Sequence, residues 1–150
     1  MKVKDIMTEN VIAVNKDATV EEVARLLVDN NVSSMPVVDD QYHVVGMISE
    51  KDLLYKELDP TMPATVEYFG GIIFLDGVDE YQEELKKLTA TKAEQMMNKD
   101  VFTVHEEDDI SEVARLLAHS DIDSIPVVRG DKLVGMVKSK DIIQAFISGN

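Results

Sequence analysis

Val23-Ala24-Arg25-Leu26-Leu27 returns 90 positions later as Val113-Ala114-Arg115-Leu116-Leu117, and Met35-Pro36-Val37-Val38 returns at the same offset as Ile125-Pro126-Val127-Val128. Farther on, Val45-Gly46-Met47 and Lys51-Asp52 recur as Val134-Gly135-Met136 and Lys140-Asp141 at an offset of 89, so one residue near Tyr42 has no counterpart. The chain therefore carries one supersecondary unit twice. A period this long lies outside the range of stacked solenoid repeats and points to two halves closing on each other across a pseudo-two-fold axis. Such an axis leaves a shared cleft, and the cleft is where function is to be sought.

Outward from these strings, each copy follows one order of elements. Val11 to Val14 and Val101 to Val104 are short β-rich runs. A helix follows, opened by a capping box in Thr19-Val20-Glu21-Glu22 and by its imitation in Asp109-Ile110-Ser111-Glu112. Val20, Val23, Ala24 and Leu27 share one helical face, and Ile110, Val113, Ala114 and Leu117 repeat the stripe. Two β runs joined by a polar turn come next: Met35 to Val38 with His43 to Ile48, then Ile125 to Val128 with Lys132 to Val137 around Arg129-Gly130-Asp131. A last helix starts near Ser49 and near Ser139, carrying Leu53-Leu54 and Ile142-Ile143 inward. The expected fold class is α/β: two β-α-β-β-α repeats over residues 1–58 and 92–150, with a central, partly helical insertion at 59–91. In the insertion, Val78 to Leu88 reads as a helix with Glu83 four residues before Lys87, and Phe69, Ile72 and Phe74 are expected to pack on the core or to form an exposed self-association patch.

Composition restricts the function classes. The chain has 150 residues, 45% of them hydrophobic, which suffices for one good core or two small coupled ones. A net charge of −14 repels phosphate backbones, so neither nucleic acid nor an anionic membrane is an expected partner. With no cysteine there is no disulfide and no thiolate metal site, as suits a reducing cytosol. Lys2-Val3-Lys4-Asp5 follows Met1 with no apolar leader, and Ile72 to Leu75 is too short to span a bilayer, so a soluble cytoplasmic protein is expected. His43, His105 and His119 have no metal-ligand spacing, Asp76-Gly77-Val78-Asp79-Glu80 lacks the alternating acids of a calcium loop, and Gly70-Gly71 is not a phosphate loop. No serine stands in a recognisable nucleophile turn, so neither an enzyme nor a catalytic cofactor is expected.

Asp5-Ile6-Met7-Thr8, Ser34-Met35-Pro36-Val37-Val38 and Gly46-Met47-Ile48-Ser49-Glu50-Lys51-Asp52 resemble the cystathionine β-synthase (CBS) domain. Gln95-Met96-Met97-Asn98, Ser124-Ile125-Pro126-Val127-Val128 and Gly135-Met136-Val137-Lys138-Ser139-Lys140-Asp141 resemble it again. Two such repeats in register resemble a stand-alone pair of the Bateman type. The resemblance implies ligand sensing between the repeats, of an adenine nucleotide (AMP, ADP or ATP) or S-adenosylmethionine, and in some members of cyclic dinucleotides. A carboxylate at a helix start can accept both hydroxyls of a ribose, the task of an acid in dinucleotide folds, and Asp52 and Asp141 stand there. Either acid could instead serve as a first-turn helix cap.

Family geometry pairs the helix start of one repeat with the first strand and pre-proline segment of the other. One implied site combines Ser49, Lys51 and Asp52 with Asp100, Phe102, Ile122 and Asp123; the other combines Lys138, Lys140 and Asp141 with Asn10, Ile12, Val32 and Ser33. Lys138 departs from the serine or threonine of the family pattern. Counting flanking charges, −3 around Asp52 against +2 around Asp141, phosphate is expected at the Asp141 site and a neutral or cationic adenosyl compound at the other. The resemblance also implies a homodimer, for which Leu26, Leu54, Leu116 and Ile143 could supply an isologous contact. The competing expectation is a ligand-free scaffold that meets a protein partner through the insertion.

Overall fold

The computed structural model describes the backbone of residues 1–57, 64–68, 71–76 and 78–148, with side chains for 1–57 and 81–148. Phe69 and the side chains of Ile72 and Phe74, expected to pack on the core, lie outside the described residues. Among the described residues no helix is long and apolar enough to cross a membrane.

The first copy runs β1 (Val14–Asn15), α1 (Val20–Asp29), β2 (Ser34–Val38), β3 (Val44–Ser49) and α2 (Glu50–Leu54). β2 lies between β1, to which it is parallel, and β3, to which it is antiparallel. After a 3-10 turn at Tyr55–Glu57, the insertion supplies an antiparallel hairpin of β4 (Ala64–Tyr68) and β5 (Gly71–Asp76), then α3 (Val78–Thr89). The second copy follows: α4 (Ala93–Met96), β6 (Val104–His105), α5 (Ile110–Ala118), β7 (Ser124–Arg129), β8 (Lys132–Lys138) and α6 (Ser139–Ile147), with the same pairing pattern in its sheet.

Local chemistry accounts for most boundaries. Thr19 accepts the Glu22 N–H at 3.1 Å while Glu22 accepts the Thr19 N–H at 3.1 Å, closing the capping box of α1. At α5 the expected box does not form: Asp109 accepts from the Ser111 N–H at 2.9 Å instead of the Glu112 N–H, and the Ile110 N–H donates to the Met1 carbonyl at 3.1 Å. The first β runs are shorter than expected, since only Val14–Asn15 and Val104–His105 join a ladder. Ile12 and Phe102, one on each shortened run, border the cavities described below. In the last helices Leu53 and Ile142 pack on the cores, but Leu54 and Ile143, 100° farther round, are 61% and 57% exposed.

The two cores exchange segments. Val3, Ile6 and Met7 pack with Val104, Val113, Ile125, Val127 and Val137 of the second copy, while Ala90, Ala93, Met96 and Met97 pack with Val23, Met35, Val37 and Ile48 of the first. Thr8 and Met136 exchange backbone hydrogen bonds at 2.8 and 2.9 Å, and Asn98 and Met47 do the same at 2.8 and 3.0 Å. A unit of sequence and a unit of core are thus different sets of residues here. The halves also meet at their hairpin tips, where Leu133 N–H donates to the Tyr42 carbonyl at 3.0 Å.

Candidate functional site

The pseudo-two-fold axis passes between Ser34 and Ser124, equivalent residues at the starts of β2 and β7 whose hydroxyls lie 3.4 Å apart. A cavity opens on each side of this pair. The larger, about 640 Å³, is lined by Ser49, Lys51 and Asp52 from the start of α2, by Asp100 and Phe102 before β6, and by Ile122 and Asp123 before β7. All seven residues expected for the first site are therefore brought together. Phe102 and Ile122 are 53% and 38% exposed, apolar side chains turned toward open space that a flat base could cover.

Asp52 is buried and fully engaged. Its Oδ2 accepts the Ser49 N–H at 2.8 Å and the Ser49 hydroxyl at 3.2 Å, which is the capping role; its Oδ1 is ion-paired with the Lys87 ammonium. Lys87 comes from α3 in the insertion and lies 5.0 Å from the centre of the Tyr55 ring. Reading Lys87 only as the i+4 partner of Glu83 misses this contact, and no repeat or motif marks it, because the insertion occurs once. The acids Glu50, Asp100, Asp121 and Asp123 also line the cavity and are exposed.

The smaller cavity, about 180 Å³, brings together Asn10, Ile12, Val32, Ser33 and Lys138. Lys140 and Asp141, expected with them, do not line it. The Asp141 carboxylate turns back to the Lys138 N–H at 2.8 Å and borders a separate depression with Met1, Asp5, Ile6 and Gln144. This corrects the charge comparison: of the cations expected on the Asp141 side only Lys138 lines the smaller cavity, together with the acid Asp123, and the Asp52 side gains the buried cation Lys87.

The cavity lies at the junction of two repeats, with the ion pair on its lining, and the CBS domain model matches each repeat, at residues 3–59 and 93–148. The chain belongs to the CBS domain family. It is 33% identical over 143 residues to the uncharacterized protein MJ1404 of Methanocaldococcus jannaschii, covering 95% of this CBS pair but only 31% of that longer protein. With MJ1426 of the same organism it shares 29% identity over 98% of this chain and 92% of the other. Among solved structures, CBSX2 of Arabidopsis thaliana in complex with AMP superposes with a TM-score of 0.80 at 25% identity, over 98% of this chain and 97% of that one. The CBS domain pair of MJ0100, solved with 5′-methylthioadenosine and S-adenosyl-L-methionine, superposes with a TM-score of 0.70 at 23% identity, over 100% of this chain and 98% of that one, and so attests the fold. Among the described residues no cluster of three His, Cys, Asp or Glu side chains could hold a metal ion.

Proposed function

We propose that this CBS pair is a non-catalytic, cytoplasmic regulatory module that takes an adenosyl ligand, an adenine nucleotide or S-adenosylmethionine, in the cavity beside Asp52. The observation that carries the reading is the convergence of Ser49, Lys51, Asp52, Asp100, Phe102, Ile122 and Asp123 on one cavity of about 640 Å³, within the usual size of small-molecule sites. The other cavity, at about 180 Å³, falls below that range as it stands. The AMP complex of CBSX2, similar over nearly its whole length, supports the ligand class. In this reading the base rests between Phe102 and Ile122, the sugar hydroxyls meet Asp52, and phosphate lies toward the Lys51 and Lys87 ammonium groups on the same lining. Binding favours one arrangement of the halves, units 1–58 and 92–150 joined by the insertion 59–91, and the same change reaches a second copy in a homodimer built on Leu54 and Ile143.

Thermal denaturation with AMP, ADP, ATP and S-adenosylmethionine tests the proposal. A ligand at 100 times its dissociation constant adds about 2.7 kcal/mol of stability. The gain is expected with at least one of the four and is expected to fall in Asp52→Asn; no shift with any of them would leave the scaffold reading, in which the insertion meets a protein partner.

A further inference from the structure

We propose that Lys87 makes the Asp52 cavity select nucleosides that bear an anionic group, such as a nucleotide phosphate, over the bare nucleoside; this rests on the adenosyl reading of that cavity. Oδ1 of Asp52 is paired with the Lys87 ammonium and Oδ2 is held by Ser49. A sugar diol that takes Oδ1 competes with the ammonium for that oxygen. The Lys87 and Asp52 side chains are only 12% and 11% exposed, and an ammonium with so little access to water is strongly disfavoured once it loses its counter-ion. A phosphate supplies the replacement anion. A neutral nucleoside does not, so its binding bears the full cost of the broken pair.

Lys87 is built into this place. Lys56 donates to the Leu88 carbonyl at 2.8 Å and to the Ala90 carbonyl, and Ala90 is buried in the first core, so the last turn of α3 is tied to the repeat it covers. The acids elsewhere on the lining do not reverse the preference. Glu50, Asp100, Asp121 and Asp123 are exposed and screened by water and salt, whereas Lys87 acts at short range in a nearly dry corner. The residue comes from the insertion, which has no second copy, so selection of this kind is confined to one of the two cavities.

The test is calorimetric titration of AMP and adenosine into the wild-type chain, Lys87→Met and Lys87→Arg, with Lys87→Gln in reserve if the methionine variant does not fold. The wild type is expected to bind AMP roughly ten- to a hundredfold more tightly than adenosine, the usual range for one charge-assisted contact. Lys87→Met should bring that ratio near one, with adenosine bound as well as before or better because Oδ1 of Asp52 is free. Lys87→Arg should keep the preference, which a merely structural role for the side chain would not require. Equal wild-type affinities, or a ratio that survives Lys87→Met, would overturn the role of Lys87 and leave the adenosyl site standing. If neither compound binds at millimolar concentration, this inference falls, while the adenosyl reading is decided separately by the thermal titration with ADP, ATP and S-adenosylmethionine.

Discussion

Gly46 and Gly135 are where single atoms decide the fold. A Cβ on Gly46 would sit 2.5 Å from the Met97 sulfur and 2.9 Å from the Asn98 carbonyl oxygen; on Gly135 it would sit 2.7 Å from the Met7 sulfur and 3.0 Å from the Thr8 carbonyl oxygen. The methionines can move, but the carbonyls are fixed by backbone pairing with Met47 and Met136. Gly46→Ala and Gly135→Ala should each cost about 1–3 kcal/mol in denaturant unfolding, the usual penalty of overpacking. Gly130 is a contrasting case. A Cβ there meets nothing within 4 Å, but its φ of +62° is left-handed, so Gly130→Ala should cost about 1 kcal/mol through the backbone alone. Tyr42, at φ 66°, occupies the same region at the tip of the other hairpin, and this is the turn at which the repeat offset changes by one.

At the scale of elements, the N-terminal turn Val3–Asp5 is held to the second copy by Val3 and Lys4 N–H groups donating to the Asp108 and Glu106 carbonyls, both at 2.9 Å. Ion pairs surround it. A hydrogen bond from Arg129 holds the Glu106 carboxyl below its usual range, hydrogen bonds from Lys4 and then Lys2 do the same for Glu107, and in return Glu107 raises Lys4. The carboxylate contribution is complete at neutral pH and is lost as pH falls through the lowered values; the Lys4 contribution persists until pH rises past its raised value. Hydrogen exchange should therefore show protection factors at Val3 and Lys4 that hold through neutral pH and drop in acid below the ordinary carboxylate range, before the amides of β2 and β7 lose theirs. These groups are solvent-exposed, so added salt should weaken the effect.

Elements that occur twice were readable from sequence, because each helix stripe and proline-led strand was written down in duplicate. The seven residues converging on the larger cavity were readable for the same reason, given the family resemblance. Two parts were not. Lys87 meets Asp52 through a segment with no second copy, and a lysine late in a helix looks the same whether it faces water or a buried carboxylate. Lys140 and Asp141 were grouped with the smaller cavity by analogy with Lys51 and Asp52, but sequence spacing does not register that the N-terminal segment lies against α6.

On the scale of the whole molecule, exchanged segments and touching hairpin tips make the halves one cooperative body. Met96 is fully buried in the first core although it follows the insertion, so Met96→Ala should cost about 2–5 kcal/mol and should lower the melting point of both halves together, as judged by exchange across β2 and β7. Leu54, Ile143, Phe146 and Ile147, from the last helices of the two copies, are 61%, 57%, 83% and 75% exposed. Sedimentation is expected to show a dimer that Leu54→Glu with Ile143→Glu shifts to monomer.

The exchange of segments also governs when this chain can acquire its shape during synthesis. Residues 3–8 are synthesised well before their backbone partners at Glu106, Asp108 and Met136, and Met47 likewise waits for Asn98. Neither half can finish folding alone, and long loops must close before the last contacts stabilise the product, which predisposes the chain to slow folding. A nascent chain arrested before Val104 would hold Val3 and Met7 without any of their core partners, apolar groups that a chaperone or a second nascent chain could seize.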